Sequence, residues 1–297
     1  MIYLIISIVF LAATALCLAD GTRRGFNVLT LNLVFRMTSG ILGLVVLLSC
    51  VPLKDIPAAW SQVGGMAVAG GVCFWISGLA ALQAVRTGHL GVTWTAKRCA
   101  MVIPTVASVV LWKEIPLWPV SNLLLLRLGG VGLIVTVAVL LAMDRLHPHP
   151  EDQSKSASSG WVAWLVTCVL TYGVYGIILR ASASIQGEAT RGAFMATVFV
   201  TAMILSCIAW AICRPVCGRG ELIAGSVAGI AGFIGSGIRP WALRDLPGIV
   251  VFPVTAASVM VLVQLGGEFL HGHRLSLWGR LGIAVAIAAI FMLTLNA

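Results

Sequence analysis

The chain is 297 residues long, 60% hydrophobic and only 10% charged, with a mean hydropathy of +1.04. Soluble domains carry roughly a quarter charged residues, so this composition cannot cover itself in water, and lipid is the expected solvent. The net charge of +9 belongs with that reading. Basic residues beside membrane helices set orientation and meet anionic head groups, and with no polar domain to carry a site, nucleic acid is excluded as a partner.

A helix needs about 20 apolar residues to cross a hydrocarbon core of roughly 30 Å. Ten runs qualify: 2–19, 28–51, 63–85, 90–112, 122–143, 161–179, 192–213, 221–238, 249–270 and 278–296. They are continuously apolar rather than alternating, which excludes a barrel. The fold expected is all-α and integral to the membrane, with about ten transmembrane helices. The first run has neither a basic start nor a small-residue cleavage site, so it reads as a helix and not as a signal peptide.

Taken in order, the second run carries Arg36, about 12 Å inside it at 1.5 Å per residue. The third is rich in glycine (Gly64, Gly65, Gly70, Gly71, Gly78) and carries Ser77. The fourth holds Trp94, Thr95, Lys97 and Arg98. A polar stretch, 144–160, follows the fifth run with the Pro, Ser and charge content of a linker. Tyr172 and Tyr175 lie about one turn apart on the sixth run and share a face. The eighth run is again glycine-dense (Gly225, Gly229, Gly232, Gly235, Gly237), with Ser236 near its end and Arg239 just beyond; Thr255 lies in the ninth. Trp60, Trp112, Trp118, Trp161 and Trp278 sit near run ends, as interfacial anchors do.

The linker falls near the midpoint, dividing the chain into a first five-helix repeat (1–143) and a second (161–297). Sliding the sequence by 159 residues places Gly70 on Gly229, Phe74 on Phe233, Ser77 on Ser236 and Gly78 on Gly237. Arg127-Leu128-Gly129 and Arg280-Leu281-Gly282 match with a six-residue difference in register. Five helices per half is odd, so the second half enters the membrane inverted, the build of many secondary transporters. Lys and Arg divide nine to seven between odd and even loops, a lean toward termini outside the cytoplasm by the positive-inside rule.

The stretch Gly91-Val-Thr-Trp-Thr-Ala-Lys-Arg-Cys-Ala-Met-Val-Ile-Pro104, followed by Lys113-Glu114, resembles the fourth helix of the drug/metabolite transporter (DMT) superfamily, EamA-like members, where a proline-bearing helix ends in a Gly-Glu-Arg type signature. Phe252-Pro253 leading to Gly272-His273-Arg274 repeats the theme. Lys113 stands where the family carries glycine and His273 where it carries glutamate. The resemblance spans the chain in helix count and spacing. It implies a ten-helix permease of the bacterial inner (plasma) membrane with a central cavity, peripheral fifth and tenth helices, and cytoplasmic termini, against the lean of the charge count. The superfamily carries amino acids, drugs, sugar phosphates and nucleotide sugars, so it names no single substrate.

Ionisable groups deep in a membrane are costly and mark function. Arg36, Lys97 and Arg98 are such groups, whereas all ten acidic residues fall in loops or near run ends. An anion, onto which guanidinium groups fork, relieves that cost. The competing reading is that these side chains reach backbone carbonyls, water or lipid phosphates. Adjacent helical residues point about 100° apart, so one of Lys97 and Arg98 is expected to face the cavity while the other snorkels or meets a neighbouring helix. The remaining candidate cavity residues are Ser77, Trp94, Thr95, Tyr172, Tyr175, Ser236, Arg239 and Thr255, which offer hydroxyls, rings and one further cation. Ser and Thr also bond their own helix.

The eight cysteines are scattered and read as buried small hydrophobes. His147/His149 and His271/His273 lack a surrounding ligand set, so no metal or cofactor is expected. Without a histidine or aspartate inside the runs, no nucleophile–base pair can be assembled there, and the chain is not expected to be an enzyme. The expected function is a secondary transporter of a small organic metabolite, an anionic one where the intramembrane cations form its site. The alternatives are a non-transporting scaffold or sensor, and a lipid-head-group flippase.

Overall fold

The structure, a computed structural model, describes residues 1–50, 52–87, 90–114, 122–146, 159–185, 187–271 and 277–294. Among these the secondary structure is helical. The elements are α1 (Ile2–Arg23), α2 (Val28–Cys50), a single 3-10 turn (Leu53–Asp55), α3 (Ile56–Thr87), α4 (Leu90–Cys99), α5 (Val102–Trp112), α6 (Asn122–Leu146), α7 (Ser159–Ala183), α8 (Glu188–Cys213), α9 (Arg219–Gly237), α10 (Arg239–Asp245), α11 (Gly248–His271) and α12 (Leu277–Thr294). Nine spans among the described residues are long and apolar enough to cross a membrane, and α6 contains a shorter apolar stretch, Leu128–Val137. The chain is thus a multi-pass helical bundle with the lengths and composition of a membrane protein. Of the polar stretch 144–160, residues 144–146 continue α6 and 159–160 begin α7; the rest lies outside the described residues, as do His147, His149, His273 and Trp118.

One run that reads as a continuous helix is broken at a proline, and another, 221–238, is followed directly by a short proline-bearing helix. The fourth splits into α4 and α5 at Ala100–Met101. Pro104 has no N–H for the Ala100 carbonyl and its ring crowds it, so Ile103 N–H bonds that carbonyl three residues back, at 3.1 Å. The eighth ends at Gly237, and the chain turns at Ile238 into α10, with Pro240 in the first turn. This turn carries Arg239 into a short helix and buries it to 1% exposure. Pro253, by contrast, sits inside α11 without ending it. The third run extends well past the expected 63–85: α3 has 32 residues, about 48 Å at 1.5 Å per residue.

Turn chemistry sets the entry to α2. Gly25 has φ +78°, open to glycine at no steric cost, and the Asn27 Oδ1 accepts from the N–H groups of Leu29 (3.0 Å) and Thr30 (3.3 Å) as an N-cap.

In lipid no hydrophobic effect draws helices together, so small residues that permit backbone contact do. The long helices pair accordingly: α3 with α7 and α8, α9 with α1 and α2, α2 with α8, and α6 with α12. The α4 and α5 segments pack on α6, α7 and α11, while α11 packs on α1 and α12. Two glycines approach a neighbouring helix backbone in similar ways. A Cβ on Gly71 would lie 2.8 Å from the Val198 carbonyl and 2.6 Å from Thr201 Cβ; one on Gly229 would lie 2.8 Å from the Phe35 carbonyl and 2.6 Å from Thr38 Cβ. The surroundings of Gly229 thus resemble those of Gly71, one residue from the Gly70 chosen by the sequence match.

The ends of the bundle differ. At one end a recess of about 630 Å³ is lined by Thr22, Asn27, Val85, Arg86, Val216 and Glu221. At the other, ion pairs tie helices together, Glu114 with Arg180 and Glu188 with Arg244, and Glu188 also pairs with Arg191 of its own helix.

Candidate functional site

The α1, α2, α3, α4, α7 and α9 helices converge on an internal cavity of about 40 Å³, room for a few waters. Its wall carries Arg36, Lys97 and Arg98 together, with Asn32, Trp94, Tyr172 and Ser236.

Arg36 is held by one residue of α3. Its Nη2 donates to the Phe74 carbonyl at 2.9 Å, and its Cζ lies 3.8 Å above the Phe74 ring and 4.5 Å above that of Phe35. The space for the guanidinium comes from Gly78, where a side chain would overlap Nη2. Its Nε and Nη1, both buried, have no hydrogen-bond partner among the described residues, nor has the Oδ1 of Asn32 one turn earlier. Lys97 Nζ sits 5.1 Å from the ring centroids of both Trp94 and Tyr172, so aromatic faces replace part of its lost hydration. Arg98 meets the Tyr172 phenol, which Arg239 meets as well. Arg239 Nη2 also approaches Met101 Sδ at 3.6 Å, and its buried Nε has no partner among the described residues.

Four cations therefore share the centre of the bundle: Arg36 at 2% exposure, Arg98 at 6%, Arg239 at 1%, and Lys97 between Trp94 and Tyr172. Among the described residues none of them forms an ion pair; the five ion pairs present all involve other basic residues. Buried cations without partners are costly, and an arrangement of unused N–H donors around a cavity is suited to an anion.

Of the residues singled out from sequence, Arg36, Trp94, Lys97, Arg98, Tyr172 and Ser236 line the cavity. Both Lys97 and Arg98 reach it, although their Cβ directions diverge. Arg98 meets its neighbouring helix at Tyr172 as well. Ser77, Thr95, Tyr175, Arg239 and Thr255 do not line it. Ser77 donates at 3.0 Å to the same Phe74 carbonyl that holds Arg36. Tyr175 packs beside Phe74 and Tyr172, with ring centroids 5.0 and 6.2 Å away. Thr255 donates to the Val251 carbonyl of its own helix at 2.6 Å, and Thr95 is partly exposed. Asn32, Phe35, Phe74 and Gly78 belong to the site but were not chosen as binding residues. The available signal was Asn32 four residues before Arg36, a polar pair on one face of an apolar helix.

Glu114, noted in sequence only as part of a motif, has a defined setting at the bundle end. Its carboxylate accepts from Arg180 Nε at 2.6 Å and from the first amides of α11, Gly248 and Ile249, both at 2.9 Å.

Compared with known proteins, the chain matches no protein-family model and no curated protein. One solved structure, described only as a crystal structure of a protein, is similar to it with a TM-score of 0.71 at 16% identity, covering 99% of this chain and 97% of that one. At that identity the likeness shows a shared helical fold.

Proposed function

We propose that this chain is an EamA-like secondary transporter, a permease of the bacterial inner membrane that moves a small anionic metabolite through a central cavity between two inverted five-helix repeats. The observation that carries this reading is the cavity itself, with three cations in its wall, a fourth beside it, and no acidic partner for any of them among the described residues.

The pairing of helices supports the repeat. Exchanging α1 with α7, α2 with α8, α3 with α9, α4 and α5 together with α11, and α6 with α12 turns the α3–α7 pair into α9–α1, and α3–α8 into α9–α2. The same exchange turns α4–α6 into α11–α12, and maps α2–α8 and α6–α12 onto themselves. The matching environments of Gly71 and Gly229 fit the same exchange. A site at the crossing of two such halves is exposed to one side or the other as they rock.

The test is binding followed by flux. The melting temperature of the detergent-purified protein is recorded against anionic, neutral and cationic metabolites, and compounds that stabilise it are then tested for uptake into vesicles carrying the protein. Stabilisation approaches about 2.7 kcal/mol at a hundredfold excess over Kd. Carboxylates or phosphates that stabilise and are taken up, with both effects lost in Lys97→Ala and Arg98→Ala, support the reading. Stabilisation by cations, or an anion effect untouched by both substitutions, overturns it.

A flippase is a second reading, favoured by one observation. An open, apolar groove of about 370 Å³, lined by Met195, Phe233, Ile234, Gly237 and Trp241, lies on a different face of α9 from Gly232 and Ser236, which face the cavity. Vesicle assays that move a lipid head group but no water-soluble anion select this reading over the first.

A further inference from the structure

The group of three buried cations and half-buried Lys97 extends beyond the cavity. Arg36, Lys97 and Arg98 line the cavity, whereas Arg239 lies outside the lining on α10. The charges are close enough to feel one another: Arg36 and Arg98 both act on Lys97, and Arg239 acts on Arg98. Tyr172 stands at the divide. Its ring faces Lys97 and its phenol meets both Arg98 and Arg239. Like charges in a medium of low dielectric repel strongly, and a single monovalent anion placed beside Arg36 leaves the far end of the group uncompensated. Donors remain unused at both ends, with the Nε and Nη1 of Arg36 at one and the Nε of Arg239 at the other.

We infer that the site takes a small organic dianion with two separated carboxylate or phosphate groups, the first held by Arg36 and Lys97 and the second by Arg98 and Arg239 at the position of the Tyr172 phenol. The inference rests on the anion-transporter reading and narrows its substrate class. The cavity of about 40 Å³ suits one anionic group at the first station. The second group reaches its station as the Tyr172 phenol swings aside, so Tyr172 acts as a positioning residue between the two. A ligand of this kind neutralises the whole group at once, which a monoanion cannot do.

The experiment measures binding to the detergent-purified full chain at pH 7.5, where both carboxyl groups of the probes are ionised. The probes are the straight-chain dicarboxylates from malonate to glutarate, the monocarboxylates of matching length, and inorganic phosphate. Wild type and Arg239→Gln are compared, and each is also melted without ligand. In wild type at least one dicarboxylate binds about tenfold or more tightly than its monocarboxylate counterpart. In Arg239→Gln the ratio falls toward one, and the unliganded variant melts no lower than wild type because a buried, unpaired cation has been removed. Equal affinity for mono- and dicarboxylates in wild type overturns the inference while leaving the anion site standing. So does a ratio unchanged by Arg239→Gln, or a variant that melts far below wild type, which makes Arg239 a structural residue. A protein that binds none of these anions overturns the transporter reading together with the inference.

Discussion

Phe74 holds Arg36 twice: its backbone carbonyl accepts from Nη2 at 2.9 Å while its ring lies 3.8 Å beneath the guanidinium carbon. One residue of α3 thus fixes both the reach and the plane of a cation borne by α2. The remaining N–H groups are left directed by that plane rather than by a second protein partner.

Gly78 makes this arrangement possible, so Gly78→Ala tests it. The new methyl would overlap Arg36 Nη2, and the buried guanidinium must leave the Phe74 carbonyl. We expect anion affinity to fall roughly tenfold, the equivalent of about 1.4 kcal/mol or one charge-assisted hydrogen bond, read as a smaller melting-temperature shift with a stabilising carboxylate. Gly65→Ala, where nothing lies within 4 Å of the added carbon, is expected to leave that shift unchanged. Equal behaviour of the two variants shows that the placement of Arg36 does not matter to binding.

Glu114 joins three helix ends, α5 through its own chain position, α7 through Arg180, and α11 through two amides. Its side chain is 6% exposed and that of Arg180 14%, so removing one partner leaves the other charged and largely buried. Glu114→Ala is expected to cost about 3 kcal/mol of stability. In the double variant Glu114→Ala/Arg180→Ala the two losses are less than additive, because they share one interaction. Thermal unfolding of the two single variants and the double variant checks this, and strict additivity would separate the residues.

The membrane class and most helix positions were legible in the sequence because an apolar run of about 20 residues has few other fates. The break at Ala100–Met101 and the turn at Ile238 were less so. Pro104 and Pro240 allow a break, but Pro253 in α11 shows that a proline does not dictate one when the surrounding helix absorbs it. The cavity was half legible. Arg36, Lys97 and Arg98 announced themselves as charges among apolar residues, yet Phe74 and Gly78 are ordinary residues of a glycine-rich helix until α2 is laid across them. Arg239 fell just past the end of an apolar run and is buried only because α10 turns back into the bundle. The sequence match paired Gly229 with Gly70, whereas the surroundings of Gly229 resemble those of Gly71, and adjacent glycines are indistinguishable until the Val198 carbonyl is placed beside one of them.

That register is itself testable. Gly71→Ala and Gly229→Ala each press a methyl group against a backbone carbonyl at 2.8 Å, whereas at Gly70 the nearest atoms are side-chain methyls of Ile178 and Val198 at 3.2 and 3.4 Å. Backbone yields less readily than a side chain in a packed interior. The expected costs are about 1–3 kcal/mol for Gly71→Ala and for Gly229→Ala, the usual range for overpacking, with a smaller loss for Gly70→Ala. Melting temperatures of the three variants check the ranking, and a Gly70 loss equal to that of Gly229 restores the 159-residue register read from sequence.

Lys97 offers a test of whether its half-buried charge serves binding or stability. Its ammonium has two aromatic faces near it and no acidic partner among the described residues. Cation–π contact supplies about 0.5–2 kcal/mol, less than the several kcal/mol that desolvating an ion costs. Lys97→Met keeps much of the chain length and apolar stem while deleting the charge. The unliganded variant is therefore expected to melt at or above the wild-type temperature, and its stabilisation by carboxylates or phosphates is expected to disappear. A binding residue trades stability for function in this way. A variant that melts well below wild type yet keeps the full anion shift places Lys97 among the residues that hold the bundle together and removes it from the site.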